Sequence, residues 1–417
     1  MVERYDVLIS GGSFAGLALC VALSRASRGD LRVGLIDADG ARQARSSNDN
    51  PRAFAVAAAS RNLLDALGVW GSVEDQAQPV TRIEITDSEL KAGVRVTALS
   101  YDNLTEGGDP ASYIVPDPIL ENALFDAATS APGVTWIAEK RITRQTASPG
   151  RSFIHITMDD GTEVDAALLV GAEGRSSPTR KRAGIPTLER DYRQTGICVR
   201  VAFEKDHDAT AVQHFLPGGP FAILPLQGRK ACITWSENRD VADQLMQDLR
   251  DGDQQAFEHA LIERIGGKYG AITLETAPKT WPLKMHLARR FVDTRVVIIA
   301  DAARGVHPIA GQGMNLGLRD VAALSEVVVD ACRLGLDPGA AEPLARYERW
   351  RRFDSAMSTA AFDRLNGLFS NDWALMRSVR ETGLSLVDRV PFLKQAFVNE
   401  ASGLTGDVPK LLRGEMV

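Results

Sequence analysis

The sequence predicts a mixed α/β fold containing two kinds of sheet, and three observations point there. Apolar runs near both ends of the chain are continuous, as in parallel strands covered on both faces, whereas those in the middle alternate, as in antiparallel strands packed on one face. In both terminal α/β stretches a glycine-rich turn separates a strand from a helix. From Pro343 onward helical spacing takes over.

Residues 5–10 (YDVLIS) form a short apolar strand, 14–27 an Ala- and Leu-rich helix, and 32–37 (RVGLID) the next strand, which together make one βαβ unit. Residues 153–158 alternate, Asp159-Asp160-Gly161 turns, and 163–170 returns, which reads as a hairpin. Ile197, Val199, Val201 and Phe203 alternate again, and 221–226 and 231–235 flank a polar turn. A helix is expected near 241–265, a buried strand at 296–300, and a helix at 314–334 stopped by Gly335. The expected division is a discontinuous domain of residues 1–75, 105–185 and 281–340, an inserted, mainly antiparallel domain of 76–104 and 186–280, and a C-terminal helical region of 341–417.

Composition narrows the classes. With 44% apolar and 24% charged residues among 417, the chain is neither disordered nor fibrous nor a disulfide scaffold. Its longest apolar stretches, 14–23 and 53–59, are shorter than the ~18 residues of a membrane span. A net charge of −6 argues against nucleic-acid binding, which rests on phosphate neutralisation. Cys20, Cys198, Cys232 and Cys332 form no CxxC pair, so no metal site and no dithiol centre is expected. The N-terminus lacks a basic start followed by an apolar region, so the cytoplasm is the expected compartment.

Three motifs carry chemistry. Gly11, Ser13 and Gly16 fit a GxGxxG dinucleotide turn with serine in the middle position. The following helix start offers unpaired N–H groups to a pyrophosphate, and Asp37 closes the next strand where a carboxylate accepts from a ribose. The second motif, Gly171-Ala172-Glu173-Gly174 through Arg180, follows a strand. In the third, a strand ends at Asp301, and a loop with Pro308, Gly311 and Gly313 opens a long helix.

Together these stretches resemble the single-component flavin-dependent aromatic hydroxylases of the p-hydroxybenzoate hydroxylase type. Pro51-Arg52-Ala53, Tyr192-Arg193-Gln194-Thr195, residues 215–220 (FLPGGP) and Trp281-Pro282-Leu283 are similar to its ubiquinone-biosynthesis subgroup. The resemblance implies a Rossmann-like FAD-binding domain, an inserted substrate domain and a monooxygenase reaction that consumes NAD(P)H and O2. It implies that Gly11, Ala15 and Gly16 cradle the FAD pyrophosphate, with the Ser13 hydroxyl available to a phosphate. Asp37 would hold the adenosine ribose, Arg52 the phosphate region and Asp301 the ribityl chain. Pro308, Gly311, Met314 and Asn315 would line the flavin ring. Glu173 and Arg180 belong to the motif tied to FAD and to transient NAD(P)H binding. Four positions depart from the family pattern: Ser13 for glycine, Glu173 for aspartate, Ala300 for glycine and Arg304 for histidine.

The implied substrate is a polyprenylated phenol of ubiquinone synthesis, with peripheral membrane contact. A hydroxylase of small soluble aromatics and a non-catalytic flavoprotein subunit of a biosynthetic complex are the alternatives. No side chain emerges as catalytic base; His307 reads as a histidine hydrogen-bonded within a loop. Arg175, Arg180, Lys181 and Arg182 read as a solvated face or as a landing site for NAD(P)H phosphates. The basic amphipathic stretch 373–397 suits core packing, a membrane contact or a homo-oligomer interface.

Overall fold

A computed structural model describes residues 2–39, 47, 49–87, 97–148, 150–308, 311–369 and 402–417. The basic stretch 373–397 lies outside these described residues.

Continuous apolar runs have to be covered on both faces, and here they are. Strands Val33–Ile36, Glu3–Ser10, Glu163–Gly171 and Val296–Ile298 lie side by side and parallel, with Val134–Ile137 beyond Val33–Ile36. Helix Phe14–Ser27 shares one buried cluster with this sheet and with the long helix Gly313–Arg333. Leu17, Leu19, Val21 and Leu23 of that helix are all fully buried, so it has no polar stripe to present to water. The expected hairpin is Ile154–Met158 paired antiparallel with Glu163–Gly171.

The alternating middle segments form a second, mainly antiparallel sheet. Its spine is the 17-residue strand Thr187–Phe203, flanked by Lys230–Asn238 and Lys279–Ala288. The sheet therefore runs beyond residue 281, where the sequence suggests a return to the α/β part. The reason is register: Trp281 and Leu283 pair opposite Gly196 and Gln194 and continue the alternation. The single helix expected near 241–265 is two, Arg239–Arg250 and Gln254–Ile265. Gly252 turns left-handed between them at φ +92°, and Asp253 caps the second by accepting from Ala256 N.

One short connection joins the sheets. Val296–Ile298 belongs to the parallel sheet, yet Arg304–Gly305 already pairs with Lys279–Ala288 of the antiparallel one. Asp301 sits on this crossing. Past helix Ala341–Phe369, the C-terminal residues Leu411, Leu412 and Val417 return to the core around helix Phe14–Ser27.

Candidate functional site

The first turn is shaped by lack of room. Gly11 has φ +112°, and a Cβ built on it would lie 2.5 Å from the Ala172 carbonyl oxygen. A Cβ on Gly16 would run into the Gly11 carbonyl oxygen. Backbone atoms cannot yield as a flexible side chain can, so both positions require glycine. The Asp37 carboxylate accepts from Gly12 N, and its other oxygen accepts from Asp39 N at 2.8 Å. Ala15 is buried behind the turn. Ser13 is exposed, and its hydroxyl donates to Glu121 Oε1 at 2.8 Å. Burial pushes the Glu121 carboxyl above the usual carboxylate range.

The third motif meets this turn directly. A Cβ on Gly317 would lie 3.0 Å from the Ala300 Cβ and 3.2 Å from the Phe14 ring. Strand end, turn and long helix therefore converge at one point. The Phe14 ring meets Phe54 edge-on at 5.7 Å between centroids, and the Arg52 guanidinium lies 4.6 Å over the Phe54 ring. Gly311 has φ +62° and lies against Ala55, where an added Cβ would come within 3.1 Å. A Cβ on Gly313 would meet nothing within 4 Å, and helix Gly313–Arg333 opens there without a side-chain cap. Bare helix N-termini of this kind favour electron-rich groups. Pro308, half-buried, accepts from Gly311 N through its carbonyl at 3.1 Å.

Met314 and Asn315 turn their side chains inward. Met314 belongs to the buried cluster around helix Phe14–Ser27. Asn315 Oδ1 accepts from Ala57 N at 3.1 Å and Ser60 Oγ at 2.8 Å, while Nδ2 donates to Ala55 O at 2.9 Å. This amide fastens the long helix to strand Ala53–Ala57, leaving only backbone at 314 and 315 for a ring to approach.

The second motif is braced from within. Glu173 accepts from Ser177 Oγ at 2.6 Å and from the Thr179 hydroxyl and N–H. Arg180 is buried and donates to Ala302 O at 2.7 Å and to Arg175 O at 2.6 Å. Arg182 donates to Gln145, Ile142 O and Thr179. Arg180 and Arg182 are thus spent on internal acceptors, and Lys181 is the exposed member of the group. Arg175 stands 3.6 Å from the half-exposed Asp301 carboxylate and donates to Val306 O at 3.2 Å. The Asp301 carbonyl accepts from His286 Nε2 at 2.9 Å.

The other two departures from the family pattern also have partners. Ala300 is held at φ +50°, a conformation that favours glycine, and its methyl lies against Gly317. Arg304 is buried, donates to Asp320 Oδ2 at 2.7 Å and also bonds Leu316 O. Asp320 further accepts from Arg351 Nε at 2.8 Å and Ala300 N at 2.9 Å. His307 is buried, with Nε2 3.3 Å from Gln194 Oε1 and its ring edge-on to Tyr192. Burial, with Arg175 nearby, pulls its pKa down to about 4. Glu121 and Asp320 belong to no motif. Gly317 had a readable signal, four residues after Gly313 on one helix face.

The arrangement fits a flavin dinucleotide: two glycines that admit no side chain at the pyrophosphate turn, a carboxylate one strand away, and a bare helix start facing open space. A family model described as FAD binding domain matches residues 4–352. The chain is 38% identical over 412 residues to ubiquinone hydroxylase UbiL of Rhodospirillum rubrum, covering 98% of this chain and 92% of that one. It is 30% identical to 3-demethoxyubiquinol 3-hydroxylase of Escherichia coli, covering 96% and 98%. Its fold is similar to that of p-nitrophenol 4-monooxygenase PnpA from Pseudomonas putida, with TM-score 0.81, 15% identity and coverage of 98% and 100%. The chain therefore belongs to the FAD-binding-domain family, as an FAD-dependent monooxygenase of the p-hydroxybenzoate hydroxylase type.

Proposed function

We propose that this monooxygenase hydroxylates a polyprenylated phenol in ubiquinone biosynthesis, with NAD(P)H as electron donor and O2 as oxygen source. The full-length likeness at 38% to a ubiquinone hydroxylase carries this reading. FAD held by the residues of this site would supply the two-electron and oxygen-transfer chemistry of the reaction.

The chain's residues bind, orient and exclude water. In this reading the backbone of Gly11–Gly16 receives the diphosphate, Asp37 the ribose and Asp301 the ribityl hydroxyls, while Arg52 balances phosphate charge. Pro308, Gly311 and the backbone of Met314 and Asn315 border the ring. Glu173 and Arg180 act at one remove, holding the Asp301 crossing in place. Ala53, Ala55, Leu224 and Trp281 pack on one apolar cluster with Cys198, Leu226 and Cys232 of the antiparallel sheet, and Ala55 also lies against Gly311. Such a wall suits a ring carrying an apolar tail and keeps water from the oxygen transfer. Among the described residues no helix is long and apolar enough to cross a membrane. In this reading peripheral membrane contact brings the lipid-soluble substrate to the site.

The test is substrate-stimulated NAD(P)H oxidation by the purified holoenzyme. A polyprenylphenol should accelerate it with hydroxylated product formed, and short soluble phenols should not. Stimulation by soluble phenols alone favours the small-aromatic hydroxylase, and bound FAD with no stimulation by any phenol favours a non-catalytic subunit.

A further inference from the structure

The pyrophosphate turn has a carboxylate beside it that the dinucleotide motif does not call for. Glu121 projects from helix Asp117–Thr129 and receives the Ser13 hydroxyl at 2.8 Å. Ser13 fills the middle position of the glycine motif, where the backbone approaches the phosphates. Three further charged groups face Glu121: Asp117 on its own helix, Asp37 at the end of strand Val33–Ile36, and Arg52 before strand Ala53–Ala57. Glu121 thus has two other carboxylates and one guanidinium around it at the spot where the cofactor would bring two more negative charges.

Electrostatics fixes the sign of the coupling between cofactor and proton. Burial already holds Glu121 above the ordinary carboxylate range, and Asp117 and Asp37 push it the same way against Ser13 and Arg52. An arriving diphosphate pushes further. A site whose proton affinity rises on binding takes up a proton as the ligand binds, and ligand affinity then falls as pH rises.

We propose that Glu121 is a proton-linked positioning residue for FAD: as the diphosphate settles on the Gly11–Gly16 turn, the Glu121 carboxylate takes one proton from solvent and stays bonded to Ser13 as the neutral acid. The proton comes from solvent and offsets one of the two negative charges that arrive, so the site gains one net negative charge instead of two. The proposal rests on FAD being the bound dinucleotide and adds a residue that the glycine motif omits.

The test is FAD release from the holoenzyme, diluted across pH 5 to 8 and followed by the fluorescence of free flavin. The dissociation constant should rise with pH, approaching about tenfold per unit within the window set by Glu121. Glu121→Gln should flatten that rise and hold FAD more tightly at pH 8. Calorimetry of FAD rebinding in buffers of different ionisation heat counts the proton directly, close to one for the native chain. Equal slopes in native protein and Glu121→Gln, or no net proton uptake by the native protein, would overturn the proposal. Should Glu121→Gln fail to fold, the native proton count decides alone. A native chain that holds no FAD at any pH would sink the cofactor assignment instead.

Discussion

The Gly11–Gly16 turn and the Ala300–Asn315 loop meet at the same strand ends, yet they answer sequence change differently. At the turn, Gly11 and Gly16 face backbone carbonyls, Ala172 O and Gly11 O, which cannot move aside. In the loop, positions face side chains and helix residues that can change together. Ala300 has Gly317 opposite it, and Arg304 has Asp320 and Arg351. The one departure inside the turn, Ser13, is exposed and bonds a side chain, Glu121. Backbone against backbone admits no compensation; side chain against side chain does.

The contrast is sharpest at Gly16. Gly16→Ala puts a methyl into the Gly11 carbonyl and should cost on the order of 4 kcal/mol or more. The expected product is insoluble or colourless protein, read from flavin absorbance per chain after gel filtration. A yellow, soluble Gly16→Ala protein would break the comparison.

The loop's compensation should fail when its partner is removed. Asp320 is fully buried between Arg304 and Arg351, whose side chains are 2% and 4% exposed. Asp320→Asn leaves buried guanidinium charge without its carboxylate, at a cost of about 3–5 kcal/mol. Denaturant unfolding measures this, and a loss under about 1 kcal/mol would mean that the cluster is not what accommodates Arg304.

The smallest effect belongs to Ala300→Gly. Relief of the left-handed backbone, about 1 kcal/mol, opposes loss of the methyl contact with Gly317 and added chain entropy. Stability should change by less than about 1 kcal/mol with FAD content unchanged. A large loss of FAD would show that the methyl itself contacts cofactor.

Much of this site can be read along the chain because its elements are local. Strand, turn and helix at residues 3–27, the carboxylate at Asp37 and the helix opening at Gly313 follow from periodicity and glycine placement. Glu121 carries no such mark, since its partner Ser13 lies 108 residues away. Asn315, which its motif suggests as a ring neighbour, spends its side chain on Ala55, Ala57 and Ser60 some 255 to 260 positions earlier. The basic group at 175–182 looks like a charged surface in sequence, yet Arg180 and Arg182 are consumed by carbonyls and side chains of other elements.

The amino-acid order by itself determined where the chain turns and which runs are covered on both faces, because backbone sterics and hydrophobic periodicity act over a few residues. Only the tertiary structure decided which buried charges and amides face one another. A buried charge or amide takes its partners from whatever elements the sheets bring alongside it, and for Asp320, Asn315 and Glu121 those lie up to hundreds of residues away.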